Sequence, residues 1–180
     1  PMLAKAARVN VKTASSLAQA AQDADLLISA VTASSSPDVA ALAGKSLRTG
    51  QTFLDINSCA PATKRGNRDA VEASGARYVE AAVMAPVPPQ RLKVPMLLGG
   101  RSAAEISLAL NALGMRTTPI SDEIGIASAV KMCRSIVIKG LEALTLECVL
   151  AARRFGAGQQ VFGSLDGTFP AKGWEKGLSQ

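Results

Sequence analysis

Three short stretches of this sequence hold the side chains that chemistry needs. In the first, Gly125-Ile126-Ala127-Ser128-Ala129-Val130-Lys131-Met132-Cys133-Arg134-Ser135, Lys131 interrupts an otherwise apolar segment and Ser135 follows four residues on. That spacing is about one helical turn, so the two share a face. A lysine whose stem is buried while its amine meets a cleft loses its proton more readily than a free one, which suits general acid–base work. The plainer alternative is a lysine snorkelling from a helix surface, and spacing alone favours it. In the second stretch, Val31-Thr32-Ala33-Ser34-Ser35-Ser36 follows an apolar run. Its small hydroxyl residues would let a flat ligand approach the backbone, or would simply cap the next helix. In the third, Asp55-Ile56-Asn57-Ser58-Cys59-Ala60-Pro61 joins an apolar run to a helix start. The amides of that start would face whatever lies there, unless Ser58 is only an N-cap.

The rest of the composition removes other chemistries. There is no histidine, which excludes Ser/His catalysis and histidine zinc sites, and the carboxylates show no metal-ligand spacing. Cys59, Cys133 and Cys148 form no CxxC pair, and an odd count argues against a closed disulfide framework. The formal net charge of +6 would attract anionic ligands, cofactor phosphates among them. With no dense Lys/Arg run and only 3% aromatic residues, nucleic acid is disfavoured as a partner. No apolar run approaches the ~20 residues of a membrane helix, and no secretory signal opens the chain, so a cytoplasmic protein is expected. With 48% hydrophobic and 19% charged residues the chain reads as folded, around an aliphatic core.

The elements that must position these residues follow from periodicity. Residues 8–12 read as a short strand with Val9 and Val11 on one face, and residues 13–22 as a helix capped by Thr13 or Ser15. The apolar run 25–31 suits a strand buried on both faces. A break at 34–37 precedes a helix over 39–47. Strands are expected at 52–55, 77–83, 94–98 and 116–120, and helices at 61–74 and 103–113, closed by Gly75 and Gly114. This alternation predicts a right-handed α/β sheet, and such sheets bind ligands at the carboxyl ends of their strands. The period then changes. Ala127, Val130, Arg134, Val137, Leu141, Leu144 and Cys148 fall three or four apart, with no proline from 122 to 155. One helix over that span would be roughly 50 Å long. Gly156 and Gly158 are expected to end it, and residues 159–180, with Trp174, to begin a helical domain. The domain boundary is accordingly set between 121 and 122.

In their order and spacing these motifs resemble the β-hydroxyacid dehydrogenase superfamily, which includes 3-hydroxyisobutyrate, tartronate semialdehyde and 6-phosphogluconate dehydrogenases. Ser58 in DINSCAP stands at the threonine of the family's aspartate-serine-threonine-proline motif. Met84-Ala85-Pro86 stands at its serine-glycine-glycine substrate turn, and Lys131-Met132-Cys133-Arg134-Ser135 at its Lys-x-x-x-Asn pair. The variant most resembles a phosphogluconate-dehydrogenase-like, NAD-binding branch. The resemblance implies a Rossmann-type doubly wound sheet whose first βαβ unit and GxGxxG turn are not among these residues. A long helix would then lead into an all-helical C-terminal domain. It implies NAD or NADP as cofactor, touching Val31, Thr32, Ala33 and Ser58. Lys131 would exchange a proton with the substrate hydroxyl and Ser135 would hold that oxygen, while Met84, Ala85, Pro86 and Val87 shape the substrate pocket. Hydride would pass between nicotinamide and a small hydroxy acid or related alcohol, in a homodimer. Pro86 has no amide hydrogen, Met84 has no hydroxyl, and Ser135 is shorter than asparagine, which implies a substrate unlike those of the named members. Two other functions fit the same residues: reduction of a C=N bond on the same fold, and a non-catalytic nucleotide-binding scaffold.

Overall fold

Phe53, Leu54 and Asp55 are all buried, as a strand covered on both faces requires. The computed structural model describes residues 2–169, and this strand lies second in its sheet. The order is β1 (Leu26–Ser29), β2 (Thr52–Asp55), β3 (Arg77–Val83), β4 (Pro95–Gly99) and β5 (Arg116–Ser121). β1, β2 and β3 run parallel, in a register that sets Asp55 beside Glu80. Simple alternation would continue that direction, but β4 is antiparallel to β3. The link between them holds only α5 (Val87–Gln90) and a 3-10 turn (Arg91–Lys93), too little for the crossover a parallel return needs. β5 is parallel to β4, across α6 (Ala103–Ala112).

Side chains alternate across the sheet. Phe53 and Tyr78 stack at 6.0 Å on one face, over a core with Ala40 and Ala43 of α3 (Ser36–Ser46) and Val71 of α4 (Pro61–Glu72). Leu54, Val79, Met96 and Leu98 fill the other, beneath Ile106 and Leu110 of α6. Each fully buried aliphatic of this kind contributes about 1.5–3 kcal/mol. The sheet with helices on both faces is the α/β, Rossmann-type arrangement expected from the sequence.

Two local expectations fail near the start. Residues 8–12 form no strand: α1 (Met2–Arg8) ends with Asn10 at φ 55°, and the amides of Asn10 and Val11 return to Ala7 and Ala6. That left-handed helix stop turns the chain before any pairing, and Val9 and Val11 stay exposed. The helix expected over 13–22 is the shorter α2 (Leu17–Ala21), because its cap is Ser16, whose side chain accepts from the Gln19 amide, rather than Thr13 or Ser15.

The long helix exists as α7 (Ile126–Arg154), 29 residues and about 44 Å at ~1.5 Å per residue. Gly156, at φ 64°, ends it, but Gly158 opens α8 (Gly158–Thr168) instead of serving as a second stop. Trp174 lies outside the described residues. The chain divides into two compact units, Pro1–Met132 and Cys133–Gln180. In the second, Leu141, Leu144 and Cys148 of α7 and Phe162 and Leu165 of α8 line an apolar cleft of about 320 Å³. Among the described residues no helix is long and apolar enough to cross a membrane.

α3 and α4 pack closely because Gly44 offers no side chain: a Cβ there would collide with the Ala70 carbonyl oxygen of α4. Gly44→Ala should therefore lower stability by about 1–3 kcal/mol through overpacking. The check is the urea midpoint, which should fall with its slope unchanged; an unmoved midpoint would mean the helices part without cost.

Candidate active site

Three parallel strands bring their carboxyl ends to one edge of the sheet, so the segments after β1, β2 and β3 open side by side. What holds them is polar and buried. Asp55 closes β2 with its side chain fully buried, where a lone carboxylate would be prohibitive. Lys64, in the first turn of α4 and equally buried, meets Asp55 Oδ1 at 2.7 Å and donates to the Asp55 carbonyl at 2.8 Å. The Tyr78 hydroxyl (2.7 Å) and Asn67 Nδ2 (3.0 Å) donate to Oδ2, and the Asn57 amide (2.9 Å) donates to Oδ1. Burial pushes the Asp55 carboxyl up, but the Lys64 ammonium and these donors outweigh it and hold it below the ordinary value. Burial, reinforced by the Asp55 charge, pushes the Tyr78 phenol far up, so it remains a donor.

Asn57 carries this order to the surface. Its Oδ1 accepts the Val31 amide at 2.6 Å, and its Nδ2 donates to Ser29 Oγ (2.9 Å) and Ser36 Oγ (3.2 Å). The segments after β1 and β2 are thereby stitched together. Cys59 Sγ reaches the Ala33 carbonyl at 3.8 Å, and the Thr32 hydroxyl bonds those of Ser34 (3.0 Å) and Ser35 (2.9 Å). Val31, Thr32 and Ala33 remain exposed.

Lys131 comes to this edge on α7. Its Nζ donates to Ser58 Oγ at 2.8 Å. The lysine is half-buried and the serine exposed. Burial, with the Lys64 charge adding to it, lowers the Lys131 ammonium from its ordinary value. An amine that releases a proton more easily, set against a hydroxyl at the carboxyl edge of the strands, is equipped to exchange protons.

The structure thus joins Lys131 to Ser58, and Val31 to the Ser58 segment through Asn57. Met84 and Ala85 are half-buried and Pro86 and Val87 exposed, all following β3 at the same edge; the Met84 amide donates to the Pro95 carbonyl at 2.9 Å. Ser135 is half-buried one turn beyond Lys131 along α7, in the second unit. Four residues escaped the sequence reading: Lys64, Asn67, Tyr78 and Glu80. The available signal was Asp55 itself, a carboxylate ending an apolar run and in need of partners. Glu80 is fully buried beside it, and its carboxylate accepts from the Gly125 and Ala127 amides and the Ser128 hydroxyl. A cleft of about 570 Å³ lined by Arg65, Arg101, Asp122 and Glu123 lies at the other end of β3 and contains none of the expected residues. Among the described residues no cluster of His, Cys, Asp or Glu could hold a metal.

Asp55→Asn would strand a buried ammonium and should cost about 3–5 kcal/mol, whereas Asp55→Asn with Lys64→Met should recover much of that. The Asp55 contribution is present above the ordinary carboxyl value of 3.8 and is lost as pH falls below it, because the folded carboxyl titrates lower than the unfolded one. Chemical denaturation from neutral pH into this acid range should therefore show wild type losing stability that the double variant does not. Equal acid slopes would refute the assignment.

No family profile matches the chain. Among curated proteins it is 28% identical over 151 residues to the uncharacterized 28.5 kDa protein in the 7S RNA 5' region of Methanothermus fervidus, covering 84% of this chain and 57% of that protein. A solved conserved hypothetical protein from Sinorhizobium meliloti 1021 is 39% identical with a TM-score of 0.81, over 96% of this chain and 57% of that one. Conserved protein MTH1747, of unknown function and described as structurally similar to 3-hydroxyacid dehydrogenases, is 31% identical with a TM-score of 0.82, over 97% and 65%. The chain therefore spans 57–65% of the length of these relatives. In fold alone it also matches the 3-hydroxyisobutyrate dehydrogenase of Mycobacterium tuberculosis (19% identity, TM-score 0.78, 91% and 58%). An imine reductase from Aspergillus terreus in complex with NADPH4 matches likewise (22%, 0.77, 97% and 64%).

Proposed function

From the fold that this chain shares with 3-hydroxyisobutyrate dehydrogenase-like and imine reductase proteins, we propose that it is part of an NAD- or NADP-dependent oxidoreductase. Its substrate is a small hydroxy acid or related alcohol, and Lys131 is the general acid–base. The observation that carries this reading is the bond from Lys131 to Ser58 at the carboxyl edge of the parallel strands.

The residues at that edge fit a nicotinamide. Val31, Thr32 and Ala33 are small and exposed, and Asn57 holds their segment against that of Ser58, so a flat ring can lie on the backbone beside the Ser58 hydroxyl. Solved proteins of the fold carry NADPH4, NADP+ or NAD+. When bound, the cofactor supplies the hydride acceptor or donor. Lys131 takes the substrate hydroxyl proton in the oxidative direction and returns it in the reductive one. Ser135 holds the oxygen, and Met84, Ala85, Pro86 and Val87 shape the pocket around the carbon. The same reading carries a cytoplasmic location and a homodimer, the homodimer supported by exposed Ile136, Val137, Leu144 and Leu150 on α7.

Imine reduction is the second reading. Pro86 and Met84 leave no amide–hydroxyl pair for a substrate carboxylate at the turn after β3, and imine reductases share the fold. A panel of hydroxy acids, alcohols and cyclic imines separates the two.

Lys131→Ala in the full-length protein should cut turnover by roughly 10²–10⁴ while NADPH or NADH binding, followed by fluorescence, persists. Oxidation should rise with pH to a plateau whose midpoint lies below the ordinary lysine value of 10.5, and reduction should fall through that midpoint. Wild-type turnover in the alanine variant would end the lysine role; failure to bind either nucleotide would leave a scaffold.

A further inference from the structure

Glu80 is fully buried in the middle of β3, and no cationic side chain pairs with it among the described residues. Its charge is met by the start of α7. Oε1 accepts the Gly125 amide at 2.6 Å and the Ala127 amide at 3.0 Å, and Oε2 accepts the Ser128 hydroxyl at 2.6 Å. The positive end of a long helix is suited to a carboxylate. One glycine makes room for the contact and another supplies the turn into the helix. A Cβ at Gly99, across from Glu80 on β4, would lie 2.7 Å from Oε1, and Gly125 turns into the helix at φ 105°. Three residues beyond Ser128, and so one turn higher on the same side, is Lys131.

We propose that Glu80 is a positioning residue for Lys131: its carboxylate seats the first turn of α7 on the sheet and thereby sets the Lys131 amine against Ser58. This rests on the assignment of Lys131 as the acid–base. Glu80 touches neither the amine nor the strand-end segments. Its action is to fix where the helix begins, which a flexible lysine stem alone cannot do.

The test uses the full-length protein with Glu80→Gln, which removes the negative charge and one of the two acceptor oxygens, and Ser128→Ala, which removes one donor and keeps both backbone bonds. Two things are measured: kinetics with NADPH, and acetylation of Lys131 against pH, followed by mass spectrometry. Burial and the Lys64 charge lower the pKa of that amine; Lys64 is unchanged in both variants, and Ser128→Ala alters no charge at all. Glu80→Gln should lower kcat roughly 10–100-fold while KM for NADPH stays within about twofold, as expected for a misplaced group in a formed binding site. The labelling midpoint of Lys131 should move up toward that of a free lysine, and Ser128→Ala should do the same to a smaller extent. A folded Glu80→Gln with unchanged kcat and midpoint would overturn the proposal, as would kcat and NADPH affinity falling together at an unmoved midpoint. If Glu80→Gln does not fold, Ser128→Ala decides by the same readings. If wild type turns over nothing, the enzyme reading fails, and the labelling midpoints still decide whether Glu80 holds Lys131.

Discussion

Two carboxylates lie side by side in the centre of this sheet, Asp55 on β2 and Glu80 on β3, paired by parallel register and both fully buried. Neither can stay charged there without compensation. The chain compensates each one differently. Asp55 draws Lys64 and Asn67 from α4, and Glu80 draws the first turn of α7. Each buried charge thus fixes one helix to the sheet with directional bonds that apolar packing cannot supply. Ser58 lies just before the first of these helices and Lys131 lies on the second.

From this constraint the edge of the sheet acquires its order. Asp55 holds the Asn57 amide, and the Asn57 side chain holds the Val31 amide and the Ser29 and Ser36 hydroxyls. Buried charge is therefore linked, bond by bond, to exposed backbone where a ligand would lie. The aliphatic cores above and below the sheet supply most of the stability, but they are tolerant of detail in a way the polar layer is not. A site needing its amine and hydroxyl within hydrogen-bond reach gains more from the second kind of interaction than from the first.

Much of this was legible in the residues. Mostly apolar runs marked β2 and β3 to the residue, because strands covered on both faces are rich in apolar side chains. The α/β alternation, the long helix, and the resemblance to 3-hydroxyisobutyrate dehydrogenase-like proteins are borne out by the structure and its solved neighbours. Lys131 and Ser58 were singled out separately, from one lysine in an apolar helix and one serine in DINSCAP, and tertiary folding brought them to 2.8 Å. Less legible were short signals that local chemistry decides. Asn10 stopping α1 and Ser16 capping α2 are each single-residue choices among several equivalent polar residues.

By itself the sequence determined the five strands and the longer helices, and which few residues are suited to acid–base work, because hydrophobic period and residue type are local properties. The antiparallel course of β4, the partnership of Asp55 with Lys64, and the seat Glu80 provides for α7 were decided only in three dimensions. Asp55 and Lys64, nine residues apart, and Glu80 and its partners, 45 to 48 apart, meet through strand register and helix packing. No periodicity along the chain records which buried charge will face which donor.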